Sequence, residues 1–280
     1  MASEQEERLF KRGSRTYYYT SKWFPKRYRD DVFTLYAFVR TADDLVDHEP
    51  VDKERFLRFK RAAIKALRGG TSDDPVIKRF SSLAKKRLFA EQDVRSFLDA
   101  MEQDLSPKPF RDEKDVDAYI HGSAEVIGLF MARIFSLPNA LDRQAMLLGR
   151  AMQYINWLRD LDEDYRLGRQ YLPVSLLKQH GLASLSPKEA HKKQHSFRKL
   201  IKQELARYDS WQQEASSAFP QLPYCMRVPV AAASDAYAWT ASKIRRDPLI
   251  VFKKKVKPPV WLLTWFLIKQ GVLSWTSKSC

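Results

Sequence analysis

Gln153-Tyr154-Ile155-Asn156-Trp157-Leu158-Arg159-Asp160-Leu161-Asp162-Glu163-Asp164 is the stretch on which the reading of the fold turns. At 3.6 residues per turn, Gln153, Asn156, Asp160 and Asp164 share one helix face, and Ile155, Leu158 and Leu161 occupy the others. A second stretch, Tyr36-Ala37-Phe38-Val39-Arg40-Thr41-Ala42-Asp43-Asp44-Leu45-Val46-Asp47, has a similar stripe. Tyr36, Arg40, Asp43 and Asp47 fall within roughly 60° around the axis, and Phe33, Leu35, Phe38, Val39 and Val46 lie elsewhere. Both stretches predict helices with a polar stripe set into apolar surroundings.

Like charges at i, i+4 destabilise a helix by a few tenths of a kcal/mol, so something cationic must compensate. Arg40 and Arg159 are near in sequence. Divalent magnesium is the sharper candidate, because it takes one or two carboxylates together with phosphate oxygens and water. A single DxxxD is as readily a solvated acidic face; two such stripes on apolar-flanked helices argue for a site. An iron-binding carboxylate bundle would require Glu-x-x-His pairs, which the chain does not contain.

The rest of the chain supports a helical protein. Hydrophobic residues make up 44% of its 280 residues, enough for a sizeable core, and only 9 glycines are present. Breaks fall at Gly69 to Pro75, Ser106 to Pro109, Ser136 to Asn139, Gly168 to Pro173, Pro220 to Pro223 and Pro258-Pro259. Between them the spacing predicts helices over 28–48, 52–68, 75–87, 91–104, 113–136, 140–166, 187–218 and 224–245, with a last one after Pro259. The expected fold class is all-α, a single-domain helix bundle spanning 1–280. The net charge of +15 implies a phosphate-bearing or anionic partner. The basic residues are scattered through the helices, with no nucleic-acid motif, so nucleic acid is not the expected partner. Cys225 and Cys280 give neither a disulfide framework nor metal spacing, and the charged N-terminus does not read as a signal peptide; a cytoplasmic location is expected.

At these residues the sequence resembles the squalene/phytoene synthase family, the head-to-head prenyl synthases. The likeness rests on Asp43-Asp44-Leu45-Val46-Asp47 and on Asn156 to Asp164, which continues through Arg166-Leu167-Gly168-Arg169-Gln170-Tyr171-Leu172-Pro173. It rests also on Ser14-Arg15-Thr16-Tyr17 and on Tyr119-Ile120-His121-Gly122-Ser123-Ala124-Glu125-Val126-Ile127-Gly128. The resemblance implies the isoprenoid synthase fold with a central cavity. It implies magnesium, or manganese, held by Asp43, Asp47, Asn156, Asp160 and Asp164. Diphosphate contacts are implied for Ser14, Arg15, Arg40, Gln153, Arg159 and Tyr237, and cation-lining roles for Tyr17, Tyr36 and Tyr119. A family arginine near the C-terminus is matched by a lysine, Lys255, which lacks the bidentate fork.

The implied reaction ionises one prenyl diphosphate, joins it to a second through a cyclopropyl diphosphate, and ionises that in turn. The middle motif reads most like phytoene synthases, so two geranylgeranyl diphosphates giving phytoene is the expected reaction. Farnesyl diphosphate, giving dehydrosqualene or squalene, is the alternative, and a non-catalytic assembly-factor relative a remote one. The apolar tail Val260 to Ile268 is too short to span a bilayer, which takes about 20 apolar residues. With its preceding lysines and flanking tryptophans it is expected either to lie at the cytoplasmic membrane interface or to pack on the core.

Overall fold

The computed structural model describes residues 15–47 and 52–274, and no β-strand occurs among them. The helices are α1 (Arg15–Ser21), α2 (Lys26–Asp47), α3 (Lys53–Leu67), α4 (Pro75–Arg87), α5 (Glu91–Asp104), α6 (Glu113–Ile120), α7 (Val126–Ile134) and α8 (Asp142–Arg159). They continue with α9 (Leu161–Arg166), α10 (Val174–Gln179), α11 (Pro187–Lys192), α12 (Gln194–Ser216), α13 (Tyr224–Arg246) and α14 (Val260–Leu273).

Several starts follow from capping residues visible in the sequence. Asp52 accepts the Arg55 N–H at 2.9 Å and Asp74 the Val76 N–H at 2.8 Å; Asp112 and Ser186 cap α6 and α11 in the same way. Such caps are each worth about 1 kcal/mol. The apolar faces then pack. Phe38 of α2 is fully buried and stacks on Phe80 of α4, with Phe59 of α3 on its other side. Helix α8 contacts α7, α12 and α13 and buries Ala151, Met152, Tyr154, Ile155, Trp157 and Leu158.

Three expected helices are interrupted. The 113–136 segment contains a π-turn, His121–Glu125, between α6 and α7. There Gly122 lies so close to α5 that a Cβ would sit 2.3 Å from the Ser96 carbonyl oxygen. The 140–166 segment breaks at Asp160 (φ −100°, ψ 15°), whose carboxylate turns to meet Arg159. Adjacent residues do not face each other on a regular helix, so this pairing requires the departure. The 187–218 segment breaks at Lys193, whose Nζ reaches back to the Gly181 carbonyl at 2.7 Å. Helices α1 and α10 were not expected. Cys225 lies on α13, and Cys280 lies outside the described residues.

Candidate active site

Helix α2 presents the first acidic stripe and α8–α9 the second. Arg40 donates to Asp43 at 2.8 Å and also pairs with Asp44, one turn along α2. Asp47 pairs with Arg169 at 2.6 Å. Arg159 donates through Nε to Asp160 at 2.9 Å, and Lys255 lies 3.6 Å from Asp160 and pairs with Glu163. Arg169 therefore bridges the halves: it is bonded to Asp47 on α2 and close enough to act on Asp164 of α9. Asn156 donates to Gln153 at 3.3 Å beside this cluster.

The arginines do not fully compensate the carboxylates. Burial, then the Asp47 charge, push the Asp43 carboxyl up to about 7 against the pull of Arg40. Burial and Asp160 push Asp164 up to about 7 against Arg169. Among the described residues no three acidic, histidine or cysteine side chains converge on one point, since the basic side chains are interposed. The donor set is nevertheless all oxygen: four carboxylates and the Asn156 amide, with burial and neighbouring carboxylates opposing the charge on Asp43 and Asp164. That chemistry fits a hard divalent cation.

Sequence reasoning missed a second layer behind the acidic groups. Tyr119 is buried and donates its hydroxyl to Asp104 at 2.7 Å. Burial pushes Asp104 up to about 6, although Tyr119 and Arg169 pull it down. Tyr171 packs near Tyr119 and stacks on Trp157 with centroids 4.9 Å apart. Arg169 and Tyr171 stood in the Arg-x-Tyr-Leu-Pro tail already noticed; Asp104 had no signal of its own, because only the tertiary fold brings it to Tyr119. Tyr237 of α13 is buried and acts on both Tyr36 and Arg159. Ser14 lies outside the described residues, as do the side chains of Arg15 and Tyr17.

A cavity of about 310 Å³ opens beside Tyr36, Gln153 and Asn156 and runs between α2, α7, α8 and α13. Its walls are almost wholly apolar, including Leu35, Val39, Ile127, Met131, Met152 and Ala233. Leu137, Leu141, Phe219 and Leu222, which cluster together, also line it. The wall between α7 and α8 is backbone, because Gly128 and Gly149 bring the helices into direct contact. The arrangement joins a cluster of charged side chains to a greasy tunnel, suited to an amphiphile with a polar head and a hydrocarbon tail.

Comparison with known proteins agrees. The family model of squalene/phytoene synthases matches residues 10–262. A presqualene diphosphate synthase from Rhodopseudomonas palustris is 31% identical over 177 residues, 62% of this chain and 63% of that protein. A 15-cis-phytoene synthase from Paracoccus sp. is 32% identical over 180 residues, 60% of this chain and 59% of that protein. The matched stretch thus spans less than two thirds of either relative's length. The crystal structure of a dehydrosqualene synthase in complex with ligand superposes with a TM-score of 0.82 at 23% identity, covering 97% of this chain and 96% of that one, which shows the same fold. On the match over residues 10–262, the chain belongs to the squalene/phytoene synthase family.

Proposed function

We propose that the protein joins two geranylgeranyl diphosphates head to head, through a cyclopropyl diphosphate, to give phytoene and diphosphate. What supports the substrate length is the stretch of α8 that lines the cavity. The lining runs along that helix from Asn156 to Gln144, with Leu141 just before its start. At 1.5 Å per residue that is about 20 Å. A chain of four isoprene units extends about 20 Å at C–C bonds of roughly 1.5 Å, and one of three units about 15 Å.

The residues have separable duties. Arg40, Arg159 and Lys255 bind the diphosphate, and Gln153 and Tyr237 orient it, with Ser14 and Arg15 expected to join them. Asp43, Asp47, Asn156, Asp160 and Asp164 would hold magnesium or manganese, which when bound neutralises charge on the departing diphosphate. Tyr36 lines the tunnel, where a cation over its ring would gain on the order of 0.5–2 kcal/mol. The apolar wall keeps water from the allylic cation. Asp104, Tyr119 and Tyr171 hold the Arg169 side of the acidic cluster in place.

A second reading, condensation of farnesyl diphosphate, is favoured by the name of the Rhodopseudomonas palustris relative. Incubation with magnesium and each prenyl diphosphate, with and without NADPH, separates the two by mass spectrometry of the extracted hydrocarbon. A C40 product supports the proposal. A C30 product alone overturns it in favour of the second reading.

A further inference from the structure

The outer face of α14 is not used by the site. Trp261, Trp265, Ile268 and Val272 are all exposed, Trp261 and Val272 each at 70%, and they fall within about 60° of one another around the helix axis. Leu263, Phe266 and Leu267 lie on the opposite face and are buried against α13 and α1. Polar clips fix the helix in this orientation: Tyr224 donates to the Gly271 carbonyl at 3.2 Å, and Lys269 and Gln270 both reach Asp235. The helix is therefore docked on one side and leaves a tryptophan-rich stripe on the other. Trp23, in the turn that follows α1, is a further exposed aromatic, at 55%.

The charge around these residues is one-sided. Residues 15–29 carry five basic and no acidic residues, and so do residues 248–274. Lys22, Lys26 and Arg27 stand exposed close to Trp23 in the chain, and Lys254 stands exposed in the segment leading to α14, while Lys269 is held by Asp235. We propose that the α14 stripe, with Trp23 and these lysines, docks the protein on the surface of an anionic lipid bilayer. Tryptophan with flanking lysine is the pairing that suits a bilayer interface, with rings at the headgroup level and ammonium groups on lipid phosphates. A second copy of the chain is the poorer occupant. A two-fold contact through this face would bring both sets of basic residues together, with Asp235 already taken up by Lys269 and Gln270. Fourteen residues at 1.5 Å each make about 21 Å, short of the roughly 30 Å hydrocarbon core, so α14 lies along the surface. No helix among the described residues is long and apolar enough to cross a membrane.

The surface also has a place relative to the tunnel. Helix α1 packs on α14, and Thr20, Ser21 and Phe24, at its end and in the turn beyond it, line the cavity. One helix thus separates the tunnel from the lipid-facing element, the arrangement a hydrocarbon product would require. This last point rests on the proposed reaction; the docking surface itself does not.

The test is flotation of the full chain with vesicles of phosphatidylcholine alone and with 30% phosphatidylglycerol, beside a W261S/W265S variant and a W23S variant. Circular dichroism verifies that the exposed substitutions leave the helices intact. The wild type is expected to float with the anionic vesicles, less so in 0.5 M salt, and the double variant to partition at least tenfold more weakly. Unchanged hydrocarbon formation by the variant in detergent keeps this outcome separate from failure of the proposed reaction. Equal flotation of wild type and double variant overturns the proposal. So does a dimer in sedimentation velocity that the double variant dissociates while neither protein floats.

Discussion

Gly128→Ala tests how the tunnel wall is built. A Cβ on Gly128 would lie 2.1 Å from the Ala145 carbonyl oxygen and 2.7 Å from its carbon. Carbon–oxygen contacts of this kind settle near 3.3 Å, so α7 and α8 must separate by about 1 Å. No rotamer relieves the clash, since both parties are backbone. Across the same seam Gly149 would place its Cβ 2.4 Å from the Ala124 oxygen, so a slide of one helix along the other is resisted there. The expected cost is about 3 kcal/mol, the upper range for overpacking a fixed interior. Urea unfolding would show it as a lower midpoint with the slope preserved. Gly168→Ala is the control: its φ of +69° strains an alanine by about 1–2 kcal/mol, yet nothing lies within 4 Å. If Gly128→Ala loses less than about 0.5 kcal/mol, the close-seam reasoning is wrong.

Other expectations follow from the charged groups. Asp43→Asn should reduce product formation by about a thousandfold while leaving the thermal midpoint of the metal-free protein at pH 8 unchanged or higher, because it removes a charge that burial and Asp47 oppose; a large loss of midpoint would contradict this. Asp43 and Asp164, raised to about 7, and Asp104, raised to about 6, bind more protons in the native than in the unfolded chain between about pH 4 and 7. Stability contributed by these groups therefore falls as pH rises through that window, and added magnesium should stabilise more at pH 7.5 than at pH 5.5; calorimetry with chelator and with magnesium checks both signs. Tyr154→Phe removes the hydroxyl that donates to Glu204, a fully buried carboxylate whose other oxygen has no hydrogen-bond partner. It should cost about 1–3 kcal/mol in urea unfolding, and a neutral result would show that Arg207 alone satisfies Glu204.

What the sequence made legible was governed by length and punctuation. Helices α2 to α5, α8 and α13 carry enough turns to show periodicity, and Asp52 and Asp74 mark the starts of α3 and α4. Helices α1 and α10, of 7 and 6 residues, are too short for a period to register. The breaks at Asp160 and Lys193 depend on where one side chain turns, to Arg159 and to Gly181, which no local pattern encodes. The site divides along the same line. Asp43, Asp47, Asp160 and Asp164 were visible because each pair is one helical turn apart, and the structure brings one member of each pair, Asp47 and Asp164, to Arg169. Asp104 was not visible, because its partner Tyr119 comes from the next helix.

The ion pair between Arg169 and Asp47 joins positions about 120 residues apart. Contacts of that separation carry a large loop-closure entropy and form late in folding. Helix α2 can therefore acquire its shape and its Phe38 stack while its aspartates still face water, where their repulsion is screened. The electrostatic cost of concentrating carboxylates arrives only when the second half of the chain closes over them, bringing Arg169 at the same moment. A nascent chain that has not yet added Asn156 to Arg169 would thus hold α2 without a site, and cation-dependent stabilisation becomes a reporter of the finished topology, silent to any one helix on its own.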